Sequence, residues 1–171
     1  NPLGSFKVRG LCYQISRAWQ ANFKKFCISS TGNGALAAAV FCHIAKLPLF
    51  IFMHPKPKSK RKRETILKEI EKFKPEKIFF AEEPTKRCQE FSLEKEVYDL
   101  TPSINSTASE GFKSIGFEIF ERTKAVRAIF SFSSSGSSLI GIGNSFKFLQ
   151  KKRVLKNIPE LYSVKNRNGI K

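Results

Sequence analysis

The sequence predicts an α/β protein with open, mainly parallel twisted sheets flanked by helices, and three observations carry that expectation. Short apolar runs of strand length alternate along the chain with longer segments whose apolar residues recur at helical spacing. Two loops of small residues, SSTGNG at 29–34 and SSSGSS at 133–138, each follow a strand-like run and precede a helix-like one, as in parallel βαβ units. Apolar residues make up 41% of the 171, enough for a packed core.

The elements follow in order. Leu11, Ile15, Ala18 and Trp19 share one helical face after Lys7. Phe26 to Ser29 is an apolar strand that ends in the first small-residue loop, and Ala35 to Ala45, rich in Ala and free of breakers, is a buried helix. Leu49 to Met53 reads as a buried strand. Thr65 to Phe73 is a helix with Ile66, Leu67 and Ile70 on one side. Lys77 to Ala81 and, more weakly, Glu96 to Leu100 are strands. Glu110 to Thr123 is a helix with Phe112, Ile115, Ile119 and Phe120 in register. A strand at Ala128 to Phe132, the second small-residue loop, a helix at Leu139 to Leu149 and a strand at Leu161 to Val164 complete the alternation. No internal repeat of fixed period interrupts it.

The net charge of +17 suits a nucleic acid, an anionic membrane surface or an anionic substrate. Its densest cluster is Lys56, Lys58, Lys60, Arg61, Lys62 and Arg63. No aromatic residue interleaves with that run, so it offers no stacking platform for bases and reads as a solvated loop entering an exposed helix face. The longest apolar stretch, Ala35 to Met53, is broken by His43, Lys46 and Pro48 and is not a membrane span. No signal peptide opens the chain. The four cysteines, Cys12, Cys27, Cys42 and Cys88, form no C-x-x-C pair and have no His at ligand spacing, which argues against a zinc site and for buried, reduced thiols in the cytoplasm. His43 is expected to pack within its helix and His54 to sit in a turn.

Both small-residue loops lie where open α/β sheets bind ligands, at the carboxyl ends of strands and the N-termini of helices. Free backbone N–H groups and Ser or Thr hydroxyls there suit a phosphate or carboxylate. Lys7, which follows a Pro-x-Gly-Ser turn and opens a helix, adds an amine able to capture a carbonyl. Together these features call for an anionic ligand that carries a carbonyl.

Four ordered segments point to a family. NPLGSFKVRG resembles the N-P-T-G-S-F-K-D-R-G motif of threonine synthases, within the fold-type II (tryptophan synthase beta-like) pyridoxal-phosphate enzymes. STGNGALAAAVFCHIAKLPLFIFMHP resembles the asparagine loop, helix and strand of that family. The stretch from Asn105 to Ile119, containing EGFKSIGFEI, resembles its N-P-x-x-x-E-G-x-K-T-I-A-x-E-I segment. SSSGSSLIGIGNSFKFL followed by IPELYSV resembles the glycine loop, helix and next strand.

The resemblance implies a pyridoxal 5'-phosphate cofactor joined to Lys7, which then serves as the proton-moving base. It implies that Asn33 bonds the cofactor's ring hydroxyl and that Ser134, Ser135, Gly136, Ser137 and Ser138 cradle its phosphate. Ser30, Thr31 and Asn105 would hold a small anionic amino-acid substrate. Residues 1–29 and 110–171 would belong to a large cofactor-binding lobe, and 30–109 to a small mobile lobe, with further segments before and after the chain and a possible homodimer. The implied reaction is that of threonine synthase, O-phosphohomoserine to threonine plus phosphate. A cofactor-binding homologue without turnover and a basic nucleic-acid-binding protein are the alternatives. The sequence departs from the family pattern at Val8, which replaces an acidic residue and leaves Arg9 without its usual partner. It departs also at Gly34, where a hydroxyl residue is usual, at Ser137 in place of the second loop glycine, and at Ala108, where an arginine for the substrate phosphate is common.

Overall fold

Phe26–Ser29 (β1) and Leu49–Met53 (β2) are apolar without alternation, the pattern of strands covered on both faces. In the computed structural model, which describes residues 3–56, 60–123, 125–132 and 134–164, they pair in parallel from Phe26↔Leu49 to Ser29↔Phe52. Lys77–Phe80 (β3) adds to the far side of β2, and Tyr98–Asp99 (β4) to the far side of β1, so the sheet runs β3-β2-β1-β4 with every pair parallel. The pairing sets β1 among strands of the expected small lobe, although its residues precede the boundary expected at 29–30.

Alternate side chains of these strands enter two cores, because successive residues point to opposite faces. Phe26 and Ile28 of β1, with Leu49, Ile51 and Met53 of β2, pack against the helices Lys7–Gln20 (α1), Asn33–Ile44 (α2) and Lys60–Glu71 (α3). Cys27 and Phe52 face the other way, with Cys88 and Phe91 of Pro84–Lys95 (α4). The rings of Phe52 and Phe79 stack there at 4.8 Å, and Phe50 meets Phe91 at 4.9 Å.

The remaining layer is Ala108–Thr123 (α5) against Ser137–Lys151 (α6), beside a two-stranded parallel sheet of Ala128–Phe132 (β5) and Glu160–Val164 (β6). Helices α5 and α6 approach closely because glycines face the partner. A Cβ on Gly116 would collide with Ser145, and one on Gly141 with the carbonyl of Ser109 and the Cβ of Phe112. The small sheet is poorly covered: Phe130 and Phe132 are 68% and 66% exposed, and Phe130 stacks on Tyr162 at 4.7 Å.

Several expectations change. Helix α4 is absent from the sequence reading because its apolar face is short: Cys88 alone is fully buried, and polar and charged residues fill most of the rest. Pro84 in its first turn and a left-handed Glu96 (φ 52°) at its end delimit it. Trp19 leaves the core face of α1; it is 53% exposed, with the Lys24 amine 4.6 Å from its ring. Helix α2 begins earlier than Ala35, at Asn33, and α3 at Lys60. His43 is exposed and meets Phe73 edge-on, while His54 turns the chain through its contacts with Lys56 and bonds Glu82 at 3.0 Å. Cys27, Cys42 and Cys88 are buried free thiols and Cys12 is exposed. Lys58, Ser133 and the side chains of the basic run at 60–63 lie outside the described residues. No helix among the described residues is long and apolar enough to cross a membrane.

Candidate active site

Gly4 takes φ 62°, a left-handed value that suits glycine, and turns the chain into α1. The Ser5 hydroxyl, itself buried, accepts the Lys7 backbone N–H at 3.3 Å and caps the helix start. The Lys7 amine rests on two aromatic rings, 5.1 Å from the centroid of Phe6 and 5.9 Å from that of Phe112. Among the described residues no carboxylate pairs with it. Burial pushes its pKa below the ordinary 10.5, because an ammonium ion loses hydration there. Burial thus raises the share of neutral, nucleophilic amine above that of a solvated lysine.

The residues flanking Lys7 fix the helix that carries it. Val8 is a core residue. Arg9, expected to lack a partner, has one: its guanidinium donates to both carboxylate oxygens of Glu118 on α5, at 2.6 and 2.9 Å, and to the Ser114 hydroxyl at 3.1 Å. The bidentate pair holds α1 to α5 in place of a neighbouring acid. It also holds the Glu118 carboxyl below the usual carboxylate range.

At the carboxyl end of β1, the Ser30 hydroxyl accepts the Ala35 N–H at 3.2 Å and so serves the first turn of α2. Gly34 permits this, since a Cβ there would stand 3.0 Å from that oxygen. Thr31 and Asn33 are exposed on the same turn. In the second loop, Gly136 adopts φ 80° and starts α6 with no side-chain cap. Ser134 and Ser135 are exposed, while Ser137 and Ser138 are buried. The Ser137 hydroxyl lies 3.1 Å from that of Ser135 and donates to the Pro102 carbonyl at 3.1 Å.

Two residues that the sequence did not single out join these pieces. Buried Thr101 accepts the Ser29 N–H at 2.9 Å, and its neighbour Pro102 receives Ser137, so the end of β1 and the start of α6 share one short segment. Phe112 lies beneath the Lys7 amine and fills the space left by Gly10 of α1 and Gly141 of α6. A glycine opposite an aromatic ring is the only sequence signal for either contact. Asn105 stands apart. Its amide donates to the Asp99 carbonyl at 3.0 Å and accepts the Thr107 N–H at 3.0 Å. It lines a cleft of about 900 Å³ with Lys25 and Tyr98, at the amino ends of β1 and β4, away from the loops.

These residues fit pyridoxal phosphate on two structural grounds. An uncapped helix start behind a left-handed glycine leaves backbone N–H groups for a phosphate, and the half-buried amine of Lys7, with no carboxylate partner among the described residues, suits an aldehyde. Asn33, Ser134 and Ser135 are exposed at the same two helix starts.

The comparisons agree. Over 53 residues the chain is 43% identical to a threonine synthase of Synechocystis sp., a match covering 31% of this chain and 14% of that protein. Its fold superposes on the processed form of threonine deaminase isoform 2 from Solanum lycopersicum with a TM-score of 0.76 and 18% identity, over 95% of this chain and 43% of the other. It superposes on the serine racemase of Dictyostelium discoideum with a TM-score of 0.77 and 18% identity, over 98% and 52%. The chain therefore spans about half the length of these solved relatives. The family model for pyridoxal-phosphate dependent enzymes matches residues 1–167, nearly the whole chain, and the chain belongs to that family.

Proposed function

We propose that the chain carries the cofactor lysine of a threonine synthase-like lyase, which converts O-phosphohomoserine to threonine and phosphate. The observation that carries the reading is the Lys7 amine: half-buried, depressed in pKa and free of a carboxylate among the described residues. The matched segment of threonine synthase supports this choice of reaction. The solved relatives include racemases and a deaminase, which share the same first need, an amine that exchanges protons with a substrate carbon.

The bound cofactor supplies an electron sink for charge that develops on the substrate. Lys7 supplies the base: a neutral Nζ accepts a proton from a substrate carbon and returns it to another. Phe6 and Phe112 exclude water from one side of that amine and keep its pKa low. The start of α6 would hold the phosphate through backbone N–H groups, and Asn33 and Thr31 are exposed on the β1–α2 turn. The net charge of +17 draws in an anionic substrate.

A titration with pyridoxal phosphate tests the reading. The wild-type chain should develop a visible absorbance band, and borohydride followed by peptide mass spectrometry should find the cofactor's mass on Lys7; Lys7→Ala should lose both. A modified lysine elsewhere, or an unchanged band in Lys7→Ala, would overturn the assignment. Phosphate release from O-phosphohomoserine then tests the reaction. Cofactor capture without release supports a second reading, a homologue that binds the cofactor without turnover. That reading is favoured by Ser30, Ser137 and Asn105, whose polar groups are engaged within the protein itself.

A further inference from the structure

On the face of the sheet away from α1 and α2, three elements bring metal-ligating groups to one point. The Sγ atoms of Cys27 on β1 and Cys88 on α4 and a carboxylate oxygen of Asp99 on β4 all lie within 4.8 Å of one another. Both cysteines are fully buried. We propose that Cys27, Cys88 and Asp99 form a structural zinc(II) site, with the Thr101 hydroxyl oxygen as the fourth donor.

The spacing matches the edges of a zinc tetrahedron. Zn–S bonds of about 2.3 Å and Zn–O bonds of about 2.1 Å at the tetrahedral angle set S···O edges of about 3.6 Å and S···S edges of about 3.8 Å. Cys88 Sγ stands 3.6 Å from Asp99 Oδ1 and 3.8 Å from Thr101 Oγ1. The carboxylate supplies an independent indication. Its Oδ1 accepts the Thr101 N–H at 2.8 Å, whereas its Oδ2 is shut off from solvent with no hydrogen-bond partner among the described residues. A buried carboxylate oxygen without a donor is costly, and a cation held by this carboxylate through Oδ2, or through both oxygens, would offset that cost. Two thiols and a carboxylate favour zinc over calcium or magnesium, which take oxygen ligands throughout.

On binding, the two thiol protons leave to solvent and the thiolates take their place on the metal. The site would clamp α4 to β1 and β4. Asp99 also borders the cleft at the amino ends of β1 and β4. Sequence spacing conceals the site because its ligands come from three separate elements and include no C-x-x-C pair.

Cobalt(II), a spectroscopic stand-in for zinc, provides the test on the full chain. The expected result is one cobalt per chain with thiolate-to-metal charge transfer and intense tetrahedral visible bands, both bleached by equimolar zinc. Cys27→Ser and Cys88→Ser should each abolish the charge-transfer band, whereas Cys12→Ser and Cys42→Ala should keep it. Where a cysteine variant loses its native circular dichroism, Asp99→Asn, which keeps both thiols, decides: zinc affinity should fall by at least about tenfold. A band that survives loss of Cys27, unchanged affinity in Asp99→Asn, or a Cys27–Cys88 disulfide in place of bound metal would each overturn the proposal. The readout is independent of pyridoxal phosphate, so its failure leaves the role of Lys7 untouched.

Discussion

The contact between Arg9 and Glu118 shows how a side chain beside a reactive lysine acquires a structural duty. The two residues are 109 positions apart, so nothing local in the sequence links them. The pair joins the first turn of α1 to α5 and holds the helix that presents Lys7. Because Arg9 depresses the Glu118 pKa below its ordinary 4.5, the sign of the linkage follows directly. The stabilisation is complete above pH 4.5 and is lost as the pH falls through the lower folded-state value. Glu118 is well exposed, so water and salt weaken the pair. Glu118→Gln should therefore lower the urea midpoint slightly at neutral pH and low salt. The gap from wild type should narrow progressively as the pH falls below 4.5 and shrink in high salt; a gap that stays constant from neutral pH into strong acid would contradict the assignment.

At the scale of elements, strands were the most legible. The runs at 26–29 and 49–53 fall where the apolar pattern ends, because a strand buried on both faces must be apolar throughout; the run at 128–132 is apolar although its sheet is poorly covered. Helix α4 was hidden because one cysteine and one phenylalanine carry most of its burial, too short a stripe for periodicity to reveal. The candidate site was legible where a loop and the helix after it adjoin in sequence, as at Gly136, and illegible where distant elements meet, as at Thr101 and Phe112. Ser30 shows the same limit: its sequence neighbourhood suits ligand binding, yet its hydroxyl serves the first turn of α2. The seam between α5 and α6 offers a direct test of packing. Gly141→Ala would force a methyl group against the Ser109 carbonyl and the base of Phe112. It should cost about 1–3 kcal/mol in urea denaturation. Gly32→Ala, with nothing within 4 Å of the new methyl, should change stability far less.

Across the whole molecule, protection is uneven. The four-stranded sheet carries helices on both faces, whereas β5 and β6 form a lone parallel pair with large aromatic residues facing solvent. Two strands without a covering layer have little independent stability. Native-state hydrogen exchange should find β5 and β6 amides exchanging well before those of β1 and β2, at rates set by local opening; equal protection in the two sheets would refute this picture. Phe112 gives the architecture a different kind of consequence. One ring is at once the filler between three helices and part of the apolar cover that lowers the basicity of the Lys7 amine. Volume and proton affinity are therefore a single heritable trait at this position. A substitution that loosens the helices also rehydrates the amine, so selection on the chemistry of Lys7 reads out the fit of a hydrocarbon ring.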